Sequence, residues 1–394
     1  MTPENPSPSS STDSFEITGE LSGSIAEIGK DTWDAFAGVD HPFVSYDFLH
    51  LLEETGCVSA ATGWQPQHLT LKGSDGRVVG VMPLYLKGHS YGEYIFDHSW
   101  AAAFERAGGQ YYPKLLSAVP FSPVTGPRLL VKPGQPDAIR AALPQLARRV
   151  ADKQGLSSLH LNFIDEETAG FLEQEGFLIR HDQQFHFENQ GYETFDCFLN
   201  QLASRKRKNL RKERAKAQEP VKIHQLQGDD IKAEHWDAFY GFYMDTGARK
   251  WGRPYLNRAF FEGLGDIMAD KCLLVMAEGD EGDWLAGALN IIGSDTLYGR
   301  YWGCNRHIDF LHFEICYYQA IDYAIEHGLK RVEAGAQGQH KLARGYAPAR
   351  TYSAHYLPDP GFRVAVERYL EMERREVGLE MSYLDGHTPF KQGD

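Results

Sequence analysis

The 394-residue chain lacks the features that mark several large classes of protein. Cysteine occurs only at positions 57, 197, 272, 304 and 316, widely spaced and without a C-x-x-C. An odd, scattered set is neither a disulfide framework nor a zinc knuckle. The histidines form no H-E-x-x-H, and His307 and His312 fall at the wrong spacing for one helix face, so no metal site is expected. No apolar run approaches the roughly 18 residues of a membrane-spanning helix. No G-x-G-x-x-G follows a strand pattern and no G-x-x-x-x-G-K-[ST] occurs, which removes the common nucleotide cradles. Met1 to Ser14 is rich in Pro, Ser and Thr and has neither the basic start nor the apolar run of a signal peptide. It reads as a disordered tail on a cytosolic protein.

What the chain does have is 42% hydrophobic residues, enough for two cores, and an excess of acid, 54 acidic against 40 basic side chains. Against that background Arg205 to Lys216 (RKRKNLRKERAK) carries eight basic residues and one acidic residue. The surrounding stretch, Phe195 to Gln218, contains no Pro or Gly and is expected to be helical. Its basic residues fall all round the helix, so it projects or bridges rather than burying a face. One reading is a solvated linker helix. The other is a clamp for a polyanion such as RNA or a diphosphate, with Arg205, Lys206, Arg207, Lys208, Arg211 and Lys212 as the contacts.

The chain also repeats itself. Trp33-Asp-Ala-Phe36 recurs as Trp236-Asp-Ala-Phe239. Each copy precedes a helical stretch (Phe43–Glu54, Asn257–Ala269) and then a hairpin. The first hairpin pairs Gln67–Lys72 with Val78–Leu86 through Gly73-Ser-Asp-Gly76. The second pairs Cys272–Ala277 with Trp284–Ile292 through Gly279-Asp-Glu-Gly282. A third strand is expected at Gly92–Phe96 and at Thr296–Gly303. A long helix (Pro136–Gln154, Phe310–Glu326) closed by Gly155 or Gly328 follows, then a strand (Ser158–Phe163, Arg331–Ala334). The first half carries an extra, ordered loop near Asp97–Pro127, and runs on through a helix at Glu166–Glu175 and a strand at Phe177–Glu188. The fold expected is α/β (α+β): two tandem halves, each a mixed, mostly antiparallel twisted sheet flanked by helices, with the basic helical segment between them. The divisions fall at 1–14 (tail), 15–192, 193–219 (basic segment) and 220–394.

The richest polar run is Glu333 to Tyr346. In an extended chain Glu333, Gly335 and Gln337 face one way, and Gly335 leaves room for a substrate beside the backbone. Glu333 is a candidate base, Lys341 and Arg344 candidate donors to an oxyanion, carboxylate or phosphate, and His340 a proton carrier. Gln337 joins them as a catalytic candidate. Glu314, in an aromatic run near the long helix's start, is either a substrate ligand or a helix-dipole partner. Asp97, His98 and Trp100 mix an acid, an imidazole and an indole, and are taken as substrate-binding rather than nucleophilic. The plain alternative for these loops is solvated surface.

The order of elements, with the Glu175-Gly-Phe-Leu178 step, resembles the GNAT acyltransferase fold. Two such units with a basic helical segment resemble the Fem-type transferases. More closely, the chain is similar to a bacterial family of GNAT-like N-acyltransferases of the peptidoglycan biosynthesis or recognition type. The residues that carry this are His41-Pro-Phe-Val-Ser-Tyr46, Phe96-Asp-His-Ser-Trp-Ala101, Tyr112-Pro-Lys-Leu-Leu116, Pro120-Phe-Ser-Pro-Val-Thr-Gly-Pro-Arg128, Gly299-Arg-Tyr-Trp-Gly303, His312-Phe-Glu-Ile-Cys-Tyr-Tyr318, Glu333-Ala-Gly-Ala-Gln337 and His340-Lys-Leu-Ala-Arg-Gly-Tyr346. The resemblance implies an N-acyltransferase that moves an acyl group from acyl-CoA to an amine, with acyl-CoA as co-substrate and no tightly bound cofactor. It places Arg300, Gly303 and Asn305 where GNAT enzymes hold donor phosphates, with Asn in the place of a small residue, and Arg128 in an alternative cradle. The Fem-type alternative takes the acyl group from aminoacyl-tRNA, bound through the basic segment, and adds it to a cell-wall precursor. A third reading is a non-catalytic module for an anionic peptide or RNA.

Overall fold

The structure, a computed structural model, describes residues 17–250, 254–335 and 338–391. The expected tail and Gln337 lie outside these residues. The first half supplies β1 (Thr18–Ser22), β2 (Trp64–Pro66), β3 (His68–Lys72), β4 (Val78–Met82), β5 (Tyr85–Lys87), β6 (Lys114–Ser117), β7 (Leu130–Val131), β8 (Leu159–Ile164) and β9 (Leu178–Glu188). The second half supplies β10 (Lys222–Gln227), β11 (Cys272–Glu278), β12 (Trp284–Ile292), β13 (Thr296–Cys304), β14 (Arg331–Glu333) and β15 (Ala347–Tyr356).

Local sequence explains most of these elements. Ser45, Asp165 and Asn257 stand before helices and accept hydrogen bonds from the backbone N–H groups of Phe48, Thr168 and Phe260. Both hairpins close alike. Gly73 N–H donates to Arg77 O at 2.9 Å and Gly279 N–H to Asp283 O at 2.8 Å, while Gly76 and Gly282 take φ of 76° and 79°. β11 and β12 are buried on both faces, which explains their near-continuous apolar runs. Along β11, Cys272, Leu274 and Met276 enter one core, and Leu273, Val275 and Ala277 enter another.

β1, β3, β4 and β7 form a small sheet. The other eleven strands form one sheet in the order β10-β11-β12-β13-β14-β9-β15-β8-β6-β5-β2. This sheet runs across the expected division of the chain. β15, from the end of the sequence, lies between β8 and β9, and β9 pairs with β14. The first core is shared as well: Phe48 meets Phe260 edge-on at 6.0 Å and Phe43 meets Tyr298 at 5.2 Å. Trp33 and Trp236 both lie on helices, Lys30–Ala37 and Ala233–Lys250, and both enter that core.

Three expectations are corrected. Gly92–Phe96 forms no strand. The chain turns there because Tyr94 takes φ 59°, outside the extended region, and Glu93 points inward to Lys114 Nζ at 2.8 Å. The third strand of the first half is instead β6, inside the segment read as a loop, where the helix His98–Arg106 also lies. The stretch Phe195–Gln218 is two helices, Phe195–Gln201 and Ser204–Gln218. The break at Leu202–Ala203 is pinned by the C-terminal segment, with Ala203 N–H donating to Pro389 O at 3.0 Å.

Candidate active site

In each half one pair of strands runs parallel and then parts. β6 and β8 are in register from Leu115↔Leu159 to Ser117↔Leu161. β13 and β14 are in register from Thr296↔Arg331 to Tyr298↔Glu333. Where strands part, backbone groups lose their partners and space opens. In the first half the chain fills that space itself. Arg128, fully buried, donates to Asn162 O at 3.1 Å, Val124 O at 2.7 Å and Pro127 O at 3.0 Å, and Gly126 N–H donates to Phe163 O at 3.0 Å. The guanidinium of Arg128, the residue of the alternative cradle, thus holds a plug of its own chain.

In the second half the opening remains a cavity of about 80 Å³, bounded by Asn290, Arg300, Trp302, His312, Cys316 and Tyr317. Three buried polar atoms on its lining residues have no hydrogen-bond partner among the described residues: Asn290 Oδ1, Arg300 Nε and Trp302 Nε1. Buried polar atoms are rarely left so, and three of them on the residues lining one cavity mark a place where a polar ligand fits. The helix behind it starts at Leu311–Phe313, widens to π geometry over Glu314–Tyr318 and continues through Gln319–Glu326. Such widened turns often occur at functional sites. Asn290 escaped the sequence reading; its signal was a lone amide in the apolar run Leu285–Ile292.

Glu333 is buried, and its Oε2 lies 3.3 Å from Arg300 Nη2. Burial pushes its carboxyl up, against the pull of Arg300 and Arg331, while burial also pulls the Arg300 guanidinium down. The carboxylate thus faces its ion pair, and Arg300 is the member that reaches the cavity. Lys341 sits in the turn Gln339–Arg344, buried, with Nζ donating to Gly335 O at 2.9 Å. It forms no ion pair among the described residues. Burial and the charge of Arg300 bring its pKa down to about 7. Its ammonium lies 6.0 Å from the centre of the Tyr317 ring. His340, exposed, meets Tyr317 Oη at 2.9 Å.

Arg344 and Glu314 bind neighbouring elements. Arg344 donates to Glu213 at 2.9 Å and to His340 O at 2.7 Å, and its guanidinium lies over Phe313 at 3.4 Å. Glu314, fully buried, accepts from Arg214, Gln218 and Gln319, leaving its carboxylate saturated. Arg300, Gly303 and Asn305 do not converge either. A side chain at Gly303 would meet Phe242 O at 2.2 Å, so this glycine lets the helix Ala233–Lys250 pass against β13. Asn305 Nδ2 donates to Trp284 O at 3.1 Å. At the long helix's start, the N–H groups of Leu311, Phe313 and Glu314 already donate to Ile308 O and Phe310 O. A diphosphate finds few free donors there. In the first half, Asp97 is buried beside Lys114 and accepts from Tyr111 Oη at 2.6 Å, Trp100 is buried against His355, and His98 is exposed. None of the three lines the second-half cavity.

The basic helix Ser204–Gln218 packs on the long helix through Arg214, which bonds Glu314 and Asp322. Arg207 and Arg211 bond Asn200 and Asp196. Arg205, Lys206, Lys208 and Lys212 are exposed and make no ion pair among the described residues. Arg205, Lys208, Lys212 and Lys216 follow i, i+3, i+7, i+11 spacing and so share one face. Lys216 ends that stripe, 2.6 Å from Asp309. Asp309 lines a pocket of about 580 Å³ with Phe310 and Phe313, and this pocket shares Trp302 and His312 with the smaller cavity.

Among the described residues no group of three or more His, Cys, Asp or Glu is placed to hold a metal ion, and no helix is long and apolar enough to cross a membrane.

A mixed α/β architecture of this kind occurs in solved proteins. The structure of FemX aligns with a TM-score of 0.53 at 15% identity, covering 86% of this chain and 98% of that one. The C-terminal domain of an Agrobacterium fabrum protein assigned as lysylphosphatidylglycerol synthetase aligns at 0.53 and 7% identity, covering 88% and 97%. A tandem GNAT protein of clavulanic acid biosynthesis aligns at 0.45 and 12%, covering 88% and 99%. No curated protein matches in sequence. The chain belongs to the FemAB-like family, described as peptidoglycan biosynthesis/recognition, whose model matches residues 24–392.

Proposed function

We propose that the protein transfers an acyl group, in the simplest case an aminoacyl group, from an activated ester to an amine, and that the transfer takes place in the β13–β14 opening. The observation that carries this reading is that Asn290 Oδ1, Arg300 Nε and Trp302 Nε1, on residues that line one cavity, are all buried and unpartnered among the described residues, with the ammonium of Lys341 6.0 Å from the ring of Tyr317 on the same lining. Attack of a neutral amine on the carbonyl builds negative charge on oxygen. Arg300 and Lys341 supply donors for it in a water-poor site, where they act most strongly. Glu333 positions Arg300. Asn290 Oδ1 accepts an N–H of the donor's acyl part or of the incoming amine.

For the donor we favour a polyanion such as aminoacyl-tRNA over acyl-CoA. Two observations support this. The start of the long helix offers few free N–H groups to a diphosphate. The stripe Arg205–Lys208–Lys212–Lys216 leads along the basic helix to an aromatic pocket that adjoins the opening. Stacking of a base on Trp302, Phe310 or Phe313 suits such a pocket. The test is a turnover assay with bulk aminoacyl-tRNA and with acetyl-CoA over one amine panel. Transfer from tRNA alone supports the reading; transfer from acetyl-CoA alone overturns its donor half.

A further inference from the structure

A thiol and an imidazole line the β13–β14 opening. Cys316 and His312 both bound the cavity of about 80 Å³, and both are partly exposed. They stand four residues apart on one helix, His312 in its first turn and Cys316 in the stretch Glu314–Tyr318 that widens to π geometry. Side chains at this spacing are neighbours on a helix surface. The His312 ring lies 4.4 Å from that of Trp302, on the same lining. Asn290, buried, keeps its Oδ1 unpartnered among the described residues, and a side chain at Gly299 would come within 3.2 Å of that oxygen. Gly299 lines the cavity too, so the amide oxygen and the thiol border one space.

The surroundings of Cys316 are positive. Arg300 lines the same cavity, and Lys341 is near enough for a charge on the sulfur to act on it. The thiolate is the nucleophilic form of cysteine, and nearby cations with partial exposure are what bring it out. Other thiols of the chain stand differently. Cys57 and Cys272 are buried, and burial pushes the Cys272 thiol up. Cys197 is partly exposed, but it lines a pocket with Glu188, Glu193 and Lys391, where the signs are mixed.

We propose that Cys316 is the nucleophile of the transfer, with His312 as its base, so that the acyl group passes through a thioester on the protein. The proposal rests on the transfer site being the β13–β14 opening. His312 takes the thiol proton. The thiolate sulfur bonds to the acyl carbon, and negative charge moves to the carbonyl oxygen, where Arg300 and Lys341 are the donors. Collapse breaks the bond from the acyl carbon to the donor's alcohol oxygen, which leaves with the proton held by His312. The amine then attacks the thioester and gives a proton to His312, and the C–S bond breaks to return the thiolate. Such an intermediate splits one difficult step into two easier ones.

The thiol can be tested without the natural donor. Iodoacetamide at about pH 7, followed by peptide mass mapping, should label Cys316 about tenfold or more faster than Cys197, as a tenfold larger thiolate fraction gives. His312→Gln and Lys341→Met should each lower that ratio. p-Nitrophenyl acetate without an amine should give a burst of p-nitrophenol and leave on Cys316 an acetyl group that hydroxylamine removes. Cys316→Ser, nearly isosteric, should lose the burst while thermal melts show it folded. Cys316→Ala should lower turnover by at least about 10²-fold, the low end of what removing one acting group costs. Labelling of Cys316 no faster than Cys197, no acetyl group on Cys316, or full turnover in Cys316→Ala overturns the proposal and leaves direct attack by the amine. A fast-labelled, acetylated Cys316 with no transfer from aminoacyl-tRNA or acetyl-CoA to any amine overturns the transfer reading on which the proposal rests.

Discussion

Arg300 and Glu333 stand on β13 and β14 at the point where those strands part, joined by a 3.3 Å ion pair that is nearly inaccessible to water. A buried pair of this kind contributes little net stability, but breaking it from one side typically costs about 3–5 kcal/mol, because a lone charge stays buried. Glu333→Leu should therefore lower the melting temperature strongly. The double variant Glu333→Leu with Arg300→Met should recover most of that stability and no activity. Full activity in the double variant would show that the pair is structural only.

Lys341 gives the pH dependence a sign. Its pKa of about 7 means that the ammonium is charged below that pH and neutral above it. If the charged form stabilises the oxyanion, the rate should fall as pH rises through about 7. Lys341→Arg should move that falling limb to higher pH, and Lys341→Met should remove it with a loss of about 10²–10³ in turnover. Stability runs the other way. Between about 7 and the ordinary lysine value of 10.5 the unfolded chain binds the extra proton, so this group makes the fold more stable as pH rises through that window. Lys341→Met should flatten that slope in denaturant titrations across the window.

The basic stripe predicts salt-dependent donor binding. Each single-strand phosphate contact contributes about 0.7 to the slope of log affinity against log salt. Changing Arg205, Lys208 and Lys212 to Ser should lower the slope by about 2 for a single-stranded end, on that same scale. It should leave the fold and the turnover of saturating donor unchanged. A slope that does not move would return the helix to the role of a linker.

The shared core predicts cooperative unfolding. Phe48 and Phe260 come from opposite halves and meet in one cluster. Phe260→Ala should destabilise by about 3–5 kcal/mol. Because the large sheet crosses between the halves, the loss should appear as a shift of one transition. Two separated transitions in calorimetry would show that the halves fold apart.

The elements that rest on local chemistry could be read from the sequence. Gly76 and Gly282 announce both hairpins, and Ser45, Asp165 and Asn257 announce helix starts. What depends on distant partners could not. Nothing near β15 says that it inserts between β8 and β9. Gly92–Phe96 has a strand-like composition, yet Tyr94 takes a positive φ and Glu93 bonds Lys114, 21 residues on. At the site, Lys341 and Arg300 stood out as polar residues in glycine- and aromatic-rich segments. Arg344 and Glu314 stood out for the same reason, but their partners Glu213 and Arg214 lie some 100 or more residues earlier in the chain, on the basic helix. Polarity alone does not separate a residue that waits for a ligand from one that is already satisfied.

The most direct test of the transfer site is a crystal structure with a non-hydrolysable 3′-aminoacylamino-adenosine, which keeps the acyl carbonyl and the terminal base of the proposed donor. The carbonyl is expected within hydrogen-bonding distance of Arg300 or Lys341, and the base against Trp302, Phe310 or Phe313. A ligand seated in the first half, or one whose carbonyl lies away from the β13–β14 opening, would contradict the account.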